Sequence, residues 1–191
     1  MNIPNKLSVL RIILVPVFAA VYLLNFDYAP LVSVCIFILA ALTDFLDGYI
    51  ARKYNIVTDL GKFLDPIADK LLVGTALFLI AYSQPLNPSW ICAIFGAVII
   101  GRELLISVVR QVAASKGIII QANIYGKIKT FTQTIALPIV LLLDMKEVIA
   151  GASQLMFDIM YVAGYTILGL AVLFTIISGI VYLAQNKEVF K

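Results

Sequence analysis

The chain has 191 residues, 62% of them hydrophobic and 13% charged, with a formal net charge of +3. A soluble domain is about 45–50% apolar and 25% charged, so this composition excludes an ordinary water-soluble fold and points to an all-helical integral membrane protein of one domain, residues 1–191. Histidine is absent, which removes Ser-His-Asp and Cys-His chemistry and histidine-rich zinc sites.

The apolar runs are too long for membrane β-strands, which need only ~10 residues of alternating pattern. Helices also satisfy their own backbone polar groups inside lipid. A span needs ~20 residues, and six are expected, at 8–25, 30–52, 61–82, 89–113, 122–143 and 156–184. The first run lacks a small-residue cleavage site, so no cleaved signal peptide is expected. The segment before it suits an interfacial lead-in. Cys35 and Cys92 fall in apolar runs and read as free thiols. Tyr22, Tyr28, Tyr82 and Trp90 fall near the loops of one side and read as an aromatic belt.

Thirteen of the fourteen lysines and arginines fall on or near the side that carries both termini; Lys146 is the exception. Basic residues mark the cytoplasmic face. Both termini and the loops at 53–60 and 115–121 are therefore expected in the cytoplasm.

The second and third spans carry the chemistry. They read Asp44-x-x-Asp47-Gly48-x-x-Ala51-Arg52, then Gly61-x-x-x-Asp65-x-x-x-Asp69. Ionisable groups inside membrane spans are costly and mark functional sites. The i, i+3 and i, i+4 spacings put each pair on one helix face. Asp44 and Asp69 each lie eight residues from the loop end of their helix, about 12 Å at 1.5 Å per residue. Antiparallel helices would thus bring the four carboxylates together at matched depth. Their repulsion calls for cations, and oxygen-only ligands favour magnesium or manganese. Zinc or calcium can enter such a site in a purified sample. Buried ion pairs with Arg52, Lys53, Lys62 and Lys70 are the competing explanation. Gly48 suits either ligand approach or close helix packing. Arg52 suits phosphate or an interfacial anchor. Thr58 and Asp59 suit a helix cap or ligand contact. Pro66 is expected to kink the third span.

Residues 44–69 resemble the signature of the CDP-alcohol phosphotransferase family, D-x-x-D-G-x-x-A-R, eight residues, then G-x-x-x-D-x-x-x-D. Every fixed position is present. The resemblance implies six spans and a cytoplasm-facing active site. It also implies attack of an alcohol on a cytidine diphosphate-linked donor with release of CMP. By carry-over, two divalent cations are held by Asp44, Asp47, Asp65 and Asp69. Asp69 is the general base, and Asp44, Asp47, Gly48, Arg52 and Thr58 bind the donor.

Other segments resemble the bacterial phosphatidylglycerophosphate synthases within that family. They are residues 2–11, Gly101-Arg102-Glu103-Leu104 and Ala122-Asn123-x-x-Gly126-Lys127-x-Lys129-Thr130-x-x-Gln133. This likeness implies CDP-diacylglycerol as donor and sn-glycerol 3-phosphate as acceptor. Cations beyond those for the donor suit a phosphorylated acceptor. Asn5, Ser8, Arg11, Arg110, Lys116 and Lys127 are the candidates for acceptor phosphate binding, while Arg102 and Glu103 read as a buried pair. Inositol phosphate, serine and phosphatidylglycerol are the alternative acceptors. A divalent-cation transporter is the alternative outside the family, although transporter sites favour the midplane and inverted repeats. Apolar faces on the third and sixth spans suit a homodimer and equally suit lipid.

Overall fold

In the computed structural model, residues 3–24, 26–54, 59–83, 90–117 and 124–186 are described. Among them, side chains 3–4, 45, 48–52, 54, 59–60 and 62–63 are not. The described chain is helical, with no strand among the described residues. The helices are α1 (Ile3–Tyr22), α2 (Ala29–Tyr54), α3 (Asp59–Ser83), α4 (Trp90–Ser115), α5 (Ile124–Leu142), a 3-10 turn (Leu143–Met145), α6 (Lys146–Ala152) and α7 (Gln154–Gln185).

Among the described residues, three stretches are long and apolar enough to cross a membrane: Asn5–Tyr22 of α1, all of α4 and all of α7. α2 contributes a shorter apolar stretch, Ala29–Asp44, because the signature charges interrupt it. α3 and α5 likewise carry charge, with Asp65, Asp69 and Lys70 in the first and Lys127 and Lys129 in the second. The long helices fall on the six expected segments, and α1 departs most. It is one helix from Ile3, and Asn5, Ser8 and Arg11 on it are buried. The segment read as an interfacial lead-in is therefore part of a helix that packs on its neighbours from its first turns.

α1 packs chiefly on α2 and then on α3, while α5 packs on α7. The core uses large apolar groups with small residues between them. Phe18, Phe37, Ile80, Leu137 and Leu168 are buried, and Ala40, Ala76, Ala136 and Ala171 sit among them fully covered. Small residues let membrane helices approach closely. Phe18 and Phe37 meet at 5.7 Å with tilted rings, within the range of favourable aromatic pairs. At the same junction the Ser33 hydroxyl donates to the Phe18 carbonyl at 2.6 Å. Gly164 allows the α5–α7 approach: a Cβ there would lie 3.0 Å from Ile139 Cγ2 and 3.2 Å from Val140 Cγ2.

Each of α1, α3 and α5 contains an internal proline, Pro16, Pro66 and Pro138. Proline removes one backbone donor from the helix ladder, and all three helices continue through it. α7 is capped by Ser153, whose hydroxyl accepts from the Met156 N–H at 3.3 Å, a standard use of an N-cap serine. Three of the four expected belt aromatics are exposed, Tyr28, Tyr82 and Trp90; Tyr22 is buried in the core. Neither cysteine forms a disulfide.

Candidate active site

α1 organises the signature aspartates. Ser8 and Arg11 are three residues apart and so share one helix face. Arg11 is fully buried; its Nη1 lies 2.7 Å from Asp44 Oδ1, and its Nη2 donates to Asp47 Oδ2 at 2.5 Å. Its Nε reaches the Thr43 hydroxyl at 3.5 Å. The Ser8 hydroxyl donates to Asp65 Oδ1 at 2.5 Å. One turn of α1 thereby ties the acidic face of α2 to that of α3. Asp47 is buried, while the Asp44 side chain is 51% exposed.

Asp69 lies one turn beyond Asp65 and remains accessible. Asp44 and Arg11 lie within electrostatic reach of it, and so do Glu103 and Lys129. It therefore joins the carboxylate face to a second polar feature. This is a cleft of about 200 Å³ lined by Asp69 and Lys70 of α3, Arg102, Glu103, Ser107 and Arg110 of α4, and Lys129 and Thr130 of α5. Two arginines and two lysines face two carboxylates there. The cleft thus carries a cationic surplus with a carboxylate at its edge.

Each wall is fixed by local chemistry. Lys129 is buried and ion-paired with Glu103 across α4 and α5. Glu103 therefore pairs with Lys129, which displaces the expected Arg102–Glu103 pair. A charge taken out of water needs a partner close by, and a lysine on the facing helix reaches Glu103 directly. Arg102 leaves its Nε buried with no hydrogen-bond partner among the described residues. An unsatisfied buried donor of this kind costs about 1–3 kcal/mol and favours an anionic ligand. Gly179 of α7 makes room for the Arg102 stem, since a Cβ there would lie 3.3 Å from Arg102 Cγ. Arg110 lies over the Tyr182 ring at 6.0 Å. Tyr182 belongs to a small buried group with Ile106, Val109 and Ala113. On the other flank of Lys70, an apolar groove of about 390 Å³ opens between α3 and α4, past Gly74, Phe78, Ile100 and Leu104.

The candidate residues thus separate by place. Asp44, Asp47 and Asp65 come together through α1, and Asp69 and Arg110 line the cleft. Asn5, Ser8 and Arg11 lie buried on α1, with Ser8 and Arg11 turned toward the aspartates. Lys116 and Lys127 are exposed and do not line the cleft. Gly48 and Arg52 fall on α2, but their surroundings lie outside the described residues, as does Thr58 altogether. Arg102 and Lys129 join the cleft as well; sequence reasoning took Arg102 as a partner of Glu103 and counted Lys129 among the cations near the cytoplasmic ends of the fourth and fifth spans, without giving either a site role. Their signal was present as i, i+8 with Arg110 and i, i+2 with Lys127, but sequence alone could not show which cation turned inward.

The donor set suits a hard divalent cation, since it is anionic, oxygen-only and drawn from two neighbouring helices. Among the described residues no three acidic groups converge on one ion position, and Arg11 holds two of the four carboxylates.

A helical membrane protein with an aspartate-rich signature beside a cationic cleft is the class these features define. The CDP-alcohol phosphatidyltransferase family model matches residues 1–177, and the chain belongs to that family. It is 39% identical to the CDP-diacylglycerol–glycerol-3-phosphate 3-phosphatidyltransferase of Bacillus subtilis (strain 168), over 100% of this chain and 97% of the relative. The enzyme of the same name from Rickettsia bellii (strain RML369-C) is 39% identical over 99% of this chain and 97% of its own length. The one from Salmonella paratyphi A (strain ATCC 9150 / SARB42) is 42% identical over 71% and 74%.

Proposed function

We propose that this protein transfers the phosphatidyl group of CDP-diacylglycerol to sn-glycerol 3-phosphate, giving phosphatidylglycerophosphate and CMP. The observation that carries the reading is the cleft in which Asp69 faces Arg102, Arg110 and Lys129. A phosphorylated alcohol has the complementary chemistry: its phosphate meets the cations, and its hydroxyl lies toward the carboxylate. The names of the full-length relatives support the same donor and acceptor.

In this reading Asp69 accepts the proton of the attacking hydroxyl. It reaches that role by standing at the junction of the two polar regions, so the acceptor and the donor meet beside it. A positioned base of this kind contributes about 10²–10⁴-fold. Arg110 and Arg102 orient the acceptor phosphate, with Lys129 behind them. Arginine suits this task because its planar fork matches phosphate oxygens. Asp44, Asp47, Asp65 and Asp69 would hold divalent cations, magnesium or manganese, which neutralise the diphosphate when bound. Gly48, Arg52 and Thr58 contact the donor, while Asn5, Ser8, Arg11, Lys116 and Lys127 remain candidates for the acceptor phosphate. The groove beyond Lys70 suits an acyl chain, being apolar along its length with a cation at its polar end.

Six spans place both termini and the site on the cytoplasmic side of the bacterial membrane, as the lysine and arginine bias supports. Both substrates then meet at that face.

The test is CMP release by purified protein with CDP-diacylglycerol and magnesium across a panel of acceptors. The panel contains glycerol 3-phosphate, inositol, inositol phosphate, serine and phosphatidylglycerol. Release that requires glycerol 3-phosphate, and that is abolished by a chelator or by Asp69→Asn, is the expected result. Release with another acceptor instead would overturn the acceptor assignment. Manganese uptake into liposomes without CMP release would overturn the enzyme reading.

A further inference from the structure

Arg102 and Arg110 stand eight residues apart on α4, about 12 Å along its axis. They serve one phosphate only if both side chains turn toward a common point. They do converge, since Arg110 lies within electrostatic reach of Arg102. Both also lean on one short segment of α7. The Arg102 stem passes Gly179, where a Cβ would lie 3.3 Å from its Cγ. The Arg110 guanidinium lies over the Tyr182 ring at 6.0 Å. Gly179 and Tyr182 are three residues apart and share one face of the helix. Like charges brought together repel, so the convergence needs something to hold it.

Tyr182 is suited to do so. It is 2% exposed and packed with Ile106, Val109 and Ala113. The Asn186 amide donates to its carbonyl at 2.7 Å, which fixes the end of α7. Its ring is thus a fixed surface, and an aromatic face attracts a guanidinium. Its hydroxyl is buried with no hydrogen-bond partner among the described residues, as is the Arg102 Nε. Tyr182 and Arg102 lie within electrostatic reach of each other. A phenylalanine would fill the same space without burying an unpaired hydroxyl, which is unfavourable. Packing alone therefore does not account for a tyrosine at this place.

We propose that Tyr182 is a positioning residue for the acceptor: its ring seats Arg110 and its hydroxyl orients Arg102, so that the two guanidiniums form one clamp for a phosphate. This rests on the reading of the cleft as the acceptor site. Tyr182 stands behind the cleft wall rather than in it, and it acts through the arginines. Its effect therefore falls on the acceptor and spares the donor.

The test is steady-state CMP release by the purified protein in detergent with magnesium, varying glycerol 3-phosphate and CDP-diacylglycerol in turn. Tyr182→Phe should melt no lower than the parent protein and raise the KM for glycerol 3-phosphate about three- to tenfold. Its kcat and donor KM should stay within about twofold, the signature of lost acceptor binding. Tyr182→Leu also removes the ring and should raise the acceptor KM further. That additional step should vanish when both variants are made in an Arg110→Gln background, as coupled residues behave. An unchanged acceptor KM in Tyr182→Phe would overturn the proposal, and this variant decides the matter if the leucine variant does not fold. A phenylalanine-to-leucine step that persists in Arg110→Gln would overturn it too, leaving the ring a packing element. So would equal rises in donor and acceptor KM, which report a general loss of structure. Arg110→Gln with the parental acceptor KM would instead overturn the reading of the cleft as the acceptor site, a result separate from the others.

Discussion

Lys129 is the residue at which stability and function can be separated. It is 2% exposed and ion-paired with Glu103, whose side chain is 15% exposed. Lys129→Met removes the cation and leaves a largely buried carboxylate uncompensated. Breaking such a pair costs about 3–5 kcal/mol, whereas replacing both partners is close to neutral. Lys129→Met should therefore lose about 3–5 kcal/mol, and adding Glu103→Gln should recover most of it. Equilibrium unfolding in mixed detergent–SDS micelles measures both steps. The kinetic expectation runs the other way. If Lys129 supports the acceptor phosphate, the KM for glycerol 3-phosphate rises about tenfold or more in the single variant, the loss of one charge-assisted contact. It stays raised in the double variant despite the restored stability. A double variant that regains both stability and acceptor KM would refute the functional role and leave Lys129 a structural partner of Glu103. A single variant as stable as the parent protein would refute the buried-pair argument itself.

Gly164→Ala should destabilise the protein by about 1–3 kcal/mol through overpacking, because its Cβ would press on Ile139 and Val140. Gly169→Ala should be neutral or slightly stabilising in the same unfolding assay, since nothing lies within 4 Å of that position. Gly179→Ala pushes on the Arg102 stem from 3.3 Å; steady-state kinetics should show a several-fold higher acceptor KM with little change in donor KM. Asp144, in the turn between α5 and α6, has its carboxyl pushed above the usual range by burial, opposed by the Tyr22 hydroxyl beside it. A raised carboxyl is a stability loss that appears as pH rises through the folded value and is absent below the unfolded one, near 3.9. Asp144→Asn should therefore raise the melting temperature at pH 7–8 and confer no gain near pH 3.5, read by thermal unfolding across pH.

Much of this protein is legible in its sequence. Apolar runs as long as a bilayer is thick can satisfy their backbone only as helices, so the helical class and the approximate helix positions follow from composition and run length. The aspartates announce themselves because charges at that depth have no cheap structural explanation, and their i, i+3 and i, i+4 spacing assigns each pair to one face. Long-range pairing was not legible, because side-chain partners depend on how helices rotate against one another. Adjacency suggested Glu103 with Arg102, whereas the α4–α5 packing brings Lys129 to it. Tyr22 sits beside a loop and reads as an interfacial aromatic, yet α1 turns it into the core. Arg11 and Ser8 looked like additional phosphate ligands on a chain terminus. Only the seating of α1 between α2 and α3 decided that they face the aspartates, since an arginine buried that completely must spend its charge on the nearest carboxylates.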